Sequence, residues 1–309
     1  MRQRLAFLAL ILGSALAGCG GGGVSSTPTP TPSPAPTPTP TPANTTLTDL
    51  RFDQNFAARA AQNPYTIDAT GAGAPGTGSG NGDIQLRYNA AARSYTVSTG
   101  SRADATFAAA DRNAAQSNAT ISVYEKTIGG VSHNLVLFNP GAANPVLALT
   151  YASYGAWQTI LPAQDKFNVN TTYLVFGINT AAADMPRTGS ATYRTNVDGT
   201  FAGSTGVYSL GGNSSFSANF AAGTIAFSVT PVGSNILNGS AKTFGTISGT
   251  GTITGGTSAF TGTAGANGNG YSMGLIGDFF GPAAAEMGGT FLLQGPDGRG
   301  SGAIVGRKN

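Results

Sequence analysis

The sequence predicts an all-β protein: an N-terminal β-rich handle domain followed by an eight-stranded antiparallel up-and-down β-barrel. Three observations predict it. Glycine is abundant, at 46 of 309 residues, while charged side chains make up only 9%. No window longer than a turn or two sustains a 3.6-residue apolar period with good helix formers, and short alternating runs recur between turn-forming residues. In order, the chain reads as a leader (1–18), a linker (19–44), the handle (45–185) and the barrel (186–309).

Arg2 and Arg4 precede an apolar run, Leu5–Leu12, and Leu16-Ala17-Gly18-Cys19 closes the segment. The run is too short to span a bilayer, and the small residues after it mark a processing site, so the layout is that of a removable signal peptide. Leu-Ala-Gly-Cys is similar to the lipobox of bacterial lipoproteins, which implies that Cys19 becomes the lipidated N-terminus. Several acyl chains, palmitate among them, would make the anchor stable. The expected location is the outer membrane, with surface and periplasmic leaflet both left open. Cys19 is the only cysteine, so no intrachain disulfide can form.

Removing Arg2 and Arg4 from the 16 Lys and Arg leaves 14 basic residues against 13 acidic ones. A near-neutral chain with charges scattered singly carries no footprint for nucleic acid. Thr27–Pro42 alternates threonine with proline and predicts an extended, solvated, disordered stalk.

In the handle, Ile84–Tyr88, Tyr95–Val97, Thr120–Tyr124, Leu135–Phe138, Leu147–Tyr151 and Tyr173–Phe176 alternate as strands, and the alanine-rich pieces Ala57–Ala61 and Ala108–Ala115 read as short surface helices. The barrel meander comprises Ala191–Val197, Ser214–Ala221, Thr224–Thr230, Thr243–Ser248, Ser258–Ala264, Tyr271–Phe279, Gly288–Leu293 and Ser301–Arg307. Closure leaves no unpaired edge. These strands are mostly shorter than the roughly 9–11 residues that cross an outer membrane, which argues against a transmembrane barrel.

Within Tyr271–Phe291 a strand ends at Gly281-Pro282, Pro282 suits the first position of a helical turn with Glu286 near its positive end, and Gly288-Gly289 is expected to end that turn. The pattern formed by Phe279, Gly281, Pro282, Glu286, Gly288, Gly289 and Phe291 resembles the closing signature of the barrel in transferrin-binding protein B-like surface lipoproteins. The resemblance implies a non-enzymatic protein that captures a host iron- or haem-carrying protein or another solute. It also implies an outer-membrane receptor and a surface-lipoprotein translocator as partners. A structural or adhesion lipoprotein without a solute ligand is the alternative. Contact loops are expected at Gly71–Asp83, Asn139–Asn144, Ser204–Asn213 and Gly265–Gly270.

Other motifs carry little chemistry. Gly270–Gly274 fits G-x-S-x-G around Ser272, but no helix follows, and the only histidine, His133, precedes the serine and reads as an exposed turn or strand-start residue. Gly71–Gly76 fits G-x-G-x-x-G, yet Pro75 interrupts it and no helix opens after it. Asp49 and Asp53 read as a solvated face, and one histidine with dispersed carboxylates provides no metal cluster. No cofactor is expected, and no motif selects a haem ligand.

Overall fold

The computed structural model describes residues 43–76, 79–100 and 102–309. The leader, Cys19 and the linker through Pro42 lie outside the described residues. What is described is all-β, in two antiparallel sheets with two short 3-10 turns.

The first sheet contains β1 (Gln54–Asp68), β2 (Gly73–Pro75), β3 (Gly80–Asn89), β4 (Ser94–Thr99), β5 (Arg102–Phe107), β6 (Ile121–Ile128), β7 (Val131–Phe138), β8 (Ala152–Ala163) and β9 (Lys166–Gly177). Its order is β5-β4-β3-β1-β9-β8-β7-β6, with β2 paired to β1. The sheet curls around a core of Phe56, Leu86, Val97, Phe107, Leu135, Trp157 and Leu174. Lys126 Nζ donates to the Thr106 carbonyl at 2.7 Å, linking the edge strands β6 and β5.

Ala57–Ala61 is strand, not helix. It lies in β1 between β3 and β9, and its alternate residues enter different surroundings: Ala58 and Ala60 join the handle core, while Ala61 is fully buried on the other face. Small side chains suit a strand covered on both faces, so tertiary packing overrides alanine's helical preference. Ala108–Ala115 holds only the 3-10 turn Ala109–Asp111, capped by Asp111 Oδ2 accepting the Ala108 N–H at 2.8 Å. Leu147–Tyr151 joins no ladder; Leu147 and Leu149 alternate because they fill the space between the sheets.

The second sheet contains β10 (Ser190–Gly203), β11 (Gly206–Asn219), β12 (Thr224–Asn235), β13 (Ala241–Thr243), β14 (Ile247–Ile253), β15 (Ala259–Ala264), β16 (Ser272–Phe280), β17 (Glu286–Gly295) and β18 (Gly298–Lys308). Eight of them close a barrel: β10–β18 and β11–β12 pairing completes the ring, while β13 pairs only with β12. The Phe216↔Phe227 and Ala218↔Ile225 register sets one apolar face inward, where Phe201, Phe244, Phe260, Phe279 and Phe291 fill the interior.

The strands are longer than their sequence runs, reaching 14 residues in β10 and β11, so strand length does not argue against a membrane barrel. Face polarity does. Ser215, Ser217, Thr224, Ser248, Thr250, Thr252, Thr261 and Thr263 point outward while aromatics point inward, the reverse of a lipid-facing barrel.

β1, β8 and β9 pack on β10, β17 and β18. Phe138, Tyr154, Tyr173 and Val175 meet Phe280, Ala303 and Val305, and Tyr65 and Val169 meet Ala202 and Val207. Residue 43 enters at the end of the first sheet where β1 begins, since Asn44 binds the Phe52 carbonyl and Leu47 donates to Thr150. The opposite, far end gathers the β8–β9 turn, the loop after β1, the β10–β11 turn, the β12–β14 connection and the β17–β18 turn.

Candidate functional site

The corner between β16 and β17 ties the two sheets together. Gly281 has φ +69°, and a Cβ there would run into the Tyr151 ring, so only glycine fits. Pro282 opens the 3-10 turn Pro282–Ala284, and β17 starts immediately at Glu286. Gly288 and Gly289 therefore sit inside a strand instead of ending the turn. Their role is close approach: a Cβ on Gly288 would lie 2.5 Å from Val175 Cγ1 of β9.

Glu286 is buried, not placed at a helix end. Its carboxylate accepts the N–H groups of Thr150 at 2.7 Å, Tyr151 at 2.8 Å and Ala152 at 2.7 Å. Thr150 and Tyr151 belong to the strand-like run that joins no ladder, and Ala152 is the first residue of β8. Burial pushes the carboxyl upward, and the three N–H groups pull it partly back. Phe279 and Phe291 point the other way, into the barrel core. The signature thus serves both faces of one wall.

Further polar links cross the seam. Arg59 Nε of β1 pairs with Asp278 at 2.8 Å and its Nη1 with Asp83 at 3.0 Å. Tyr154 Oη donates to Asp198 at 3.1 Å, and Asn63 Nδ2 donates to the Arg299 carbonyl at 3.1 Å. Burial raises the Asp198 carboxyl, with the Tyr154 and Gly199 donors opposing it.

At the far end, exposed apolar side chains come from both sheets: Ile128, Leu161 and Phe167 from the first, Val232, Ile236 and Leu237 from the second. Leu237, 59% exposed, still touches the Gly71 loop, and Ile236 N–H donates to the Val207 carbonyl at 3.0 Å. Beside them Lys242 of β13 lies 5.5–5.9 Å from the ring centroids of Phe201, Tyr208, Phe244 and Tyr271. Asp297 accepts from Lys242 at 2.6 Å and from Tyr271 at 2.7 Å. Desolvation raises Asp297, but those two bonds outweigh it and leave the carboxyl below its ordinary value.

Of the expected contact loops, Gly71–Asp83 and Gly265–Gly270 lie at the far end, and Ser204–Asn213 contributes its turn there while its remainder is strand β11; residues 77 and 78 lie outside the described residues. Asn139–Asn144 lies at the opposite end, bound to Thr120 and Asn118. Sequence reasoning missed Ile236 and Leu237, although two large apolar residues amid turn formers (Asn235, Asn238, Gly239) were a readable signal.

His133 is not an exposed turn residue: it is the third residue of β7, near the strand start, but only 8% exposed and stacked 6.0 Å from Trp157. Ser272 is in β16, on the other sheet, so the two form no nucleophile–base pair. Gly73–Pro75 forms the short strand β2 and no helix follows it. Asp49 pairs with Arg51 at 2.7 Å and Asp53 accepts the Ala90 N–H at 2.7 Å. Among the described residues no group of three or more His, Cys, Asp or Glu could hold a metal ion.

The family model of the C-lobe and N-lobe beta barrels of Tf-binding protein B matches residues 185–308. No curated protein matches the chain. Among solved structures, transferrin-binding protein B of Haemophilus parasuis is 19% identical, with a TM-score of 0.45 over 80% of this chain and 44% of that one. The isotype 1 protein of serogroup B Neisseria meningitidis is 17% identical, with a TM-score of 0.44 over 81% and 43%. This chain therefore spans less than half the length of either. The N-lobe domain of lactoferrin-binding protein B of Moraxella bovis is 12% identical, with a TM-score of 0.35 over 82% and 99%. The corner signature lies inside the matched residues, so the C-terminal barrel, and not the whole chain, is what is similar to the beta barrels of Tf-binding protein B.

Proposed function

We propose that this chain is a non-enzymatic binding lipoprotein, anchored through Cys19 to the outer membrane and held off it by the Thr/Pro-rich linker. On this reading its far end captures a host iron- or haem-carrying protein or another solute. Handle (45–185) and barrel (186–309) act as one rigid body, as the two sheets spanning Gln54–Gly177 and Ser190–Lys308 and the Glu286 clamp suggest. The observation that carries the reading is the opposition of the two ends. The chain enters beside β1, where Phe52 and Val146 are exposed, while the other six exposed large apolar side chains, from both sheets, lie at the opposite end. Capture would hand the cargo to an outer-membrane receptor, and a surface-lipoprotein translocator would place the protein outside.

Protease shaving of intact cells, followed by binding of the purified protein to transferrin, lactoferrin and a haem-carrying protein, tests this reading. Loss on shaving together with saturable binding to one of them is expected. Full protection without binding would overturn it and favour a structural lipoprotein of the envelope.

A further inference from the structure

The far-end mouth of the handle interior contains a cation without a counter-ion. Arg102, at the start of β5, reaches across the interior and donates to Thr159 Oγ1 of β8 at 3.4 Å and to Thr172 Oγ1 of β9. Its guanidinium carbon lies 3.8 Å from the centroid of Trp157. Among the described residues no carboxylate forms an ion pair with it, and burial alone draws its pKa down to about 10. Lys126, whose charge also reaches His133, is already taken by Asp111 at 3.1 Å and the Thr106 carbonyl.

Around the same ring three buried nitrogens have no hydrogen-bond partner: Trp157 Nε1, Arg102 Nε and His133 Nδ1. Trp157 is fully buried and His133 nearly so. Indole and guanidinium N–H groups can only donate. Burial and the charges of Arg102 and Lys126 lower the His133 pKa, keeping its ring neutral. Buried donors without acceptors are costly, and natural proteins rarely leave them so. Thr172, which accepts from Arg102, also lines a cavity of about 280 Å³ with Ala60, Gln62 and Gly100. Asp83 on its rim is already held by Arg59.

We propose that this mouth binds a small carboxylate, with Arg102 as its ion-pair partner and Trp157 as the floor beneath the guanidinium. Trp157 Nε1 and Arg102 Nε are surplus donors and the guanidinium a surplus charge, so the complement is an anion; Asn170 Oδ1, opposite Thr159 on the same face, is an unpartnered acceptor that the anion must avoid. A planar guanidinium edge matches a carboxylate bidentately, and no second unpaired cation stands near to balance a dianion. The threonine hydroxyls that now accept from Arg102 are neutral and weaker acceptors, so a carboxylate displaces them. The site is independent of protein capture at the outer surface of the far end.

Trp157 is the only tryptophan in the chain, so its emission reports this site alone. The full-length protein is titrated with acetate, succinate and inorganic phosphate, with ionic strength held constant by sodium chloride. A saturable change with acetate, absent with chloride, is expected. Arg102→Gln should weaken it by about tenfold or more. Thr172→Val, which removes a competing acceptor and keeps the guanidinium, should tighten it, so the test survives if the Arg102 variant unfolds in a thermal melt. No saturable response, an unchanged response in folded Arg102→Gln, loss of binding in Thr172→Val, or succinate or phosphate binding as well as acetate overturns the assignment.

Discussion

The carboxylate of Glu286 in β17 accepts the backbone N–H of Ala152 at the start of β8 at 2.7 Å, joining residues 134 positions apart in sequence and in different sheets. The neighbouring N–H groups of Thr150 and Tyr151 converge on the same side chain. One glutamate thus replaces a missing strand partner for three consecutive donors.

Glu286→Ala leaves three buried donors unsatisfied and should cost about 3–5 kcal/mol, given 1–3 kcal/mol for each orphaned group. Urea unfolding measures it. Glu286→Gln, which keeps an acceptor oxygen, should lose less.

Gly288→Ala should cost about 1–3 kcal/mol, because its Cβ would press on Val175. The diagnostic quantity is coupling. Combined with Val175→Ala, the loss should fall short of the sum by roughly 0.5–3 kcal/mol, as expected for residues in contact. Strict additivity in the double-mutant cycle would contradict the packing described.

Stability should depend on pH through Asp198. Its carboxyl is raised by burial in the folded chain, so its contribution is fully present below the unfolded value and is lost as pH rises through the raised one. Relative to Asp198→Asn, which does not titrate, the wild-type protein should therefore lose Tm between acid and neutral pH. Parallel melts of both proteins across that range check the sign, and a parallel pair of curves would refute it.

Lys242 anchors β13 across the barrel mouth. Lys242→Met should cost about 1–2 kcal/mol, from the cation–π contacts and the partly buried pair with Asp297. Limited proteolysis at Ile236–Ser240 should quicken accordingly.

Leu237→Asp and Phe167→Asp alter exposed side chains that bear no core. If the far end captures a partner, either should weaken binding by about tenfold while shifting Tm little. Equal binding by both variants would point to a different face.

The barrel strands were legible because one face of each is apolar, and Phe216, Phe227 and Phe279 marked it in simple alternation. β1 was not legible. Ala57, exposed, and Ala58, Ala60 and Ala61, buried, are the same residue type, so no apolar period survives to separate strand from helix. Leu147–Tyr151 shows the converse: alternation arose from filling the space between sheets, with the hydrogen bonds sent to Glu286. The corner signature was visible as a string of glycines, a proline and a glutamate. Its purpose was not, because Val175 and Tyr151 are distant in sequence. Arg102, His133 and Trp157 carry no spacing signal at all, since three different strands bring them together.

Both sheets are completed by distant strands: β10 pairs with β18, and β1 with β9. The barrel cannot close until Gly298–Lys308 is present, whereas the first sheet needs only residues up to Gly177. Such non-local topology folds slowly, on the millisecond-to-second scale. The first sheet can therefore form ahead of the barrel and present Tyr154, Tyr173 and Val175 as the surface on which Phe280, Ala303 and Val305 later pack.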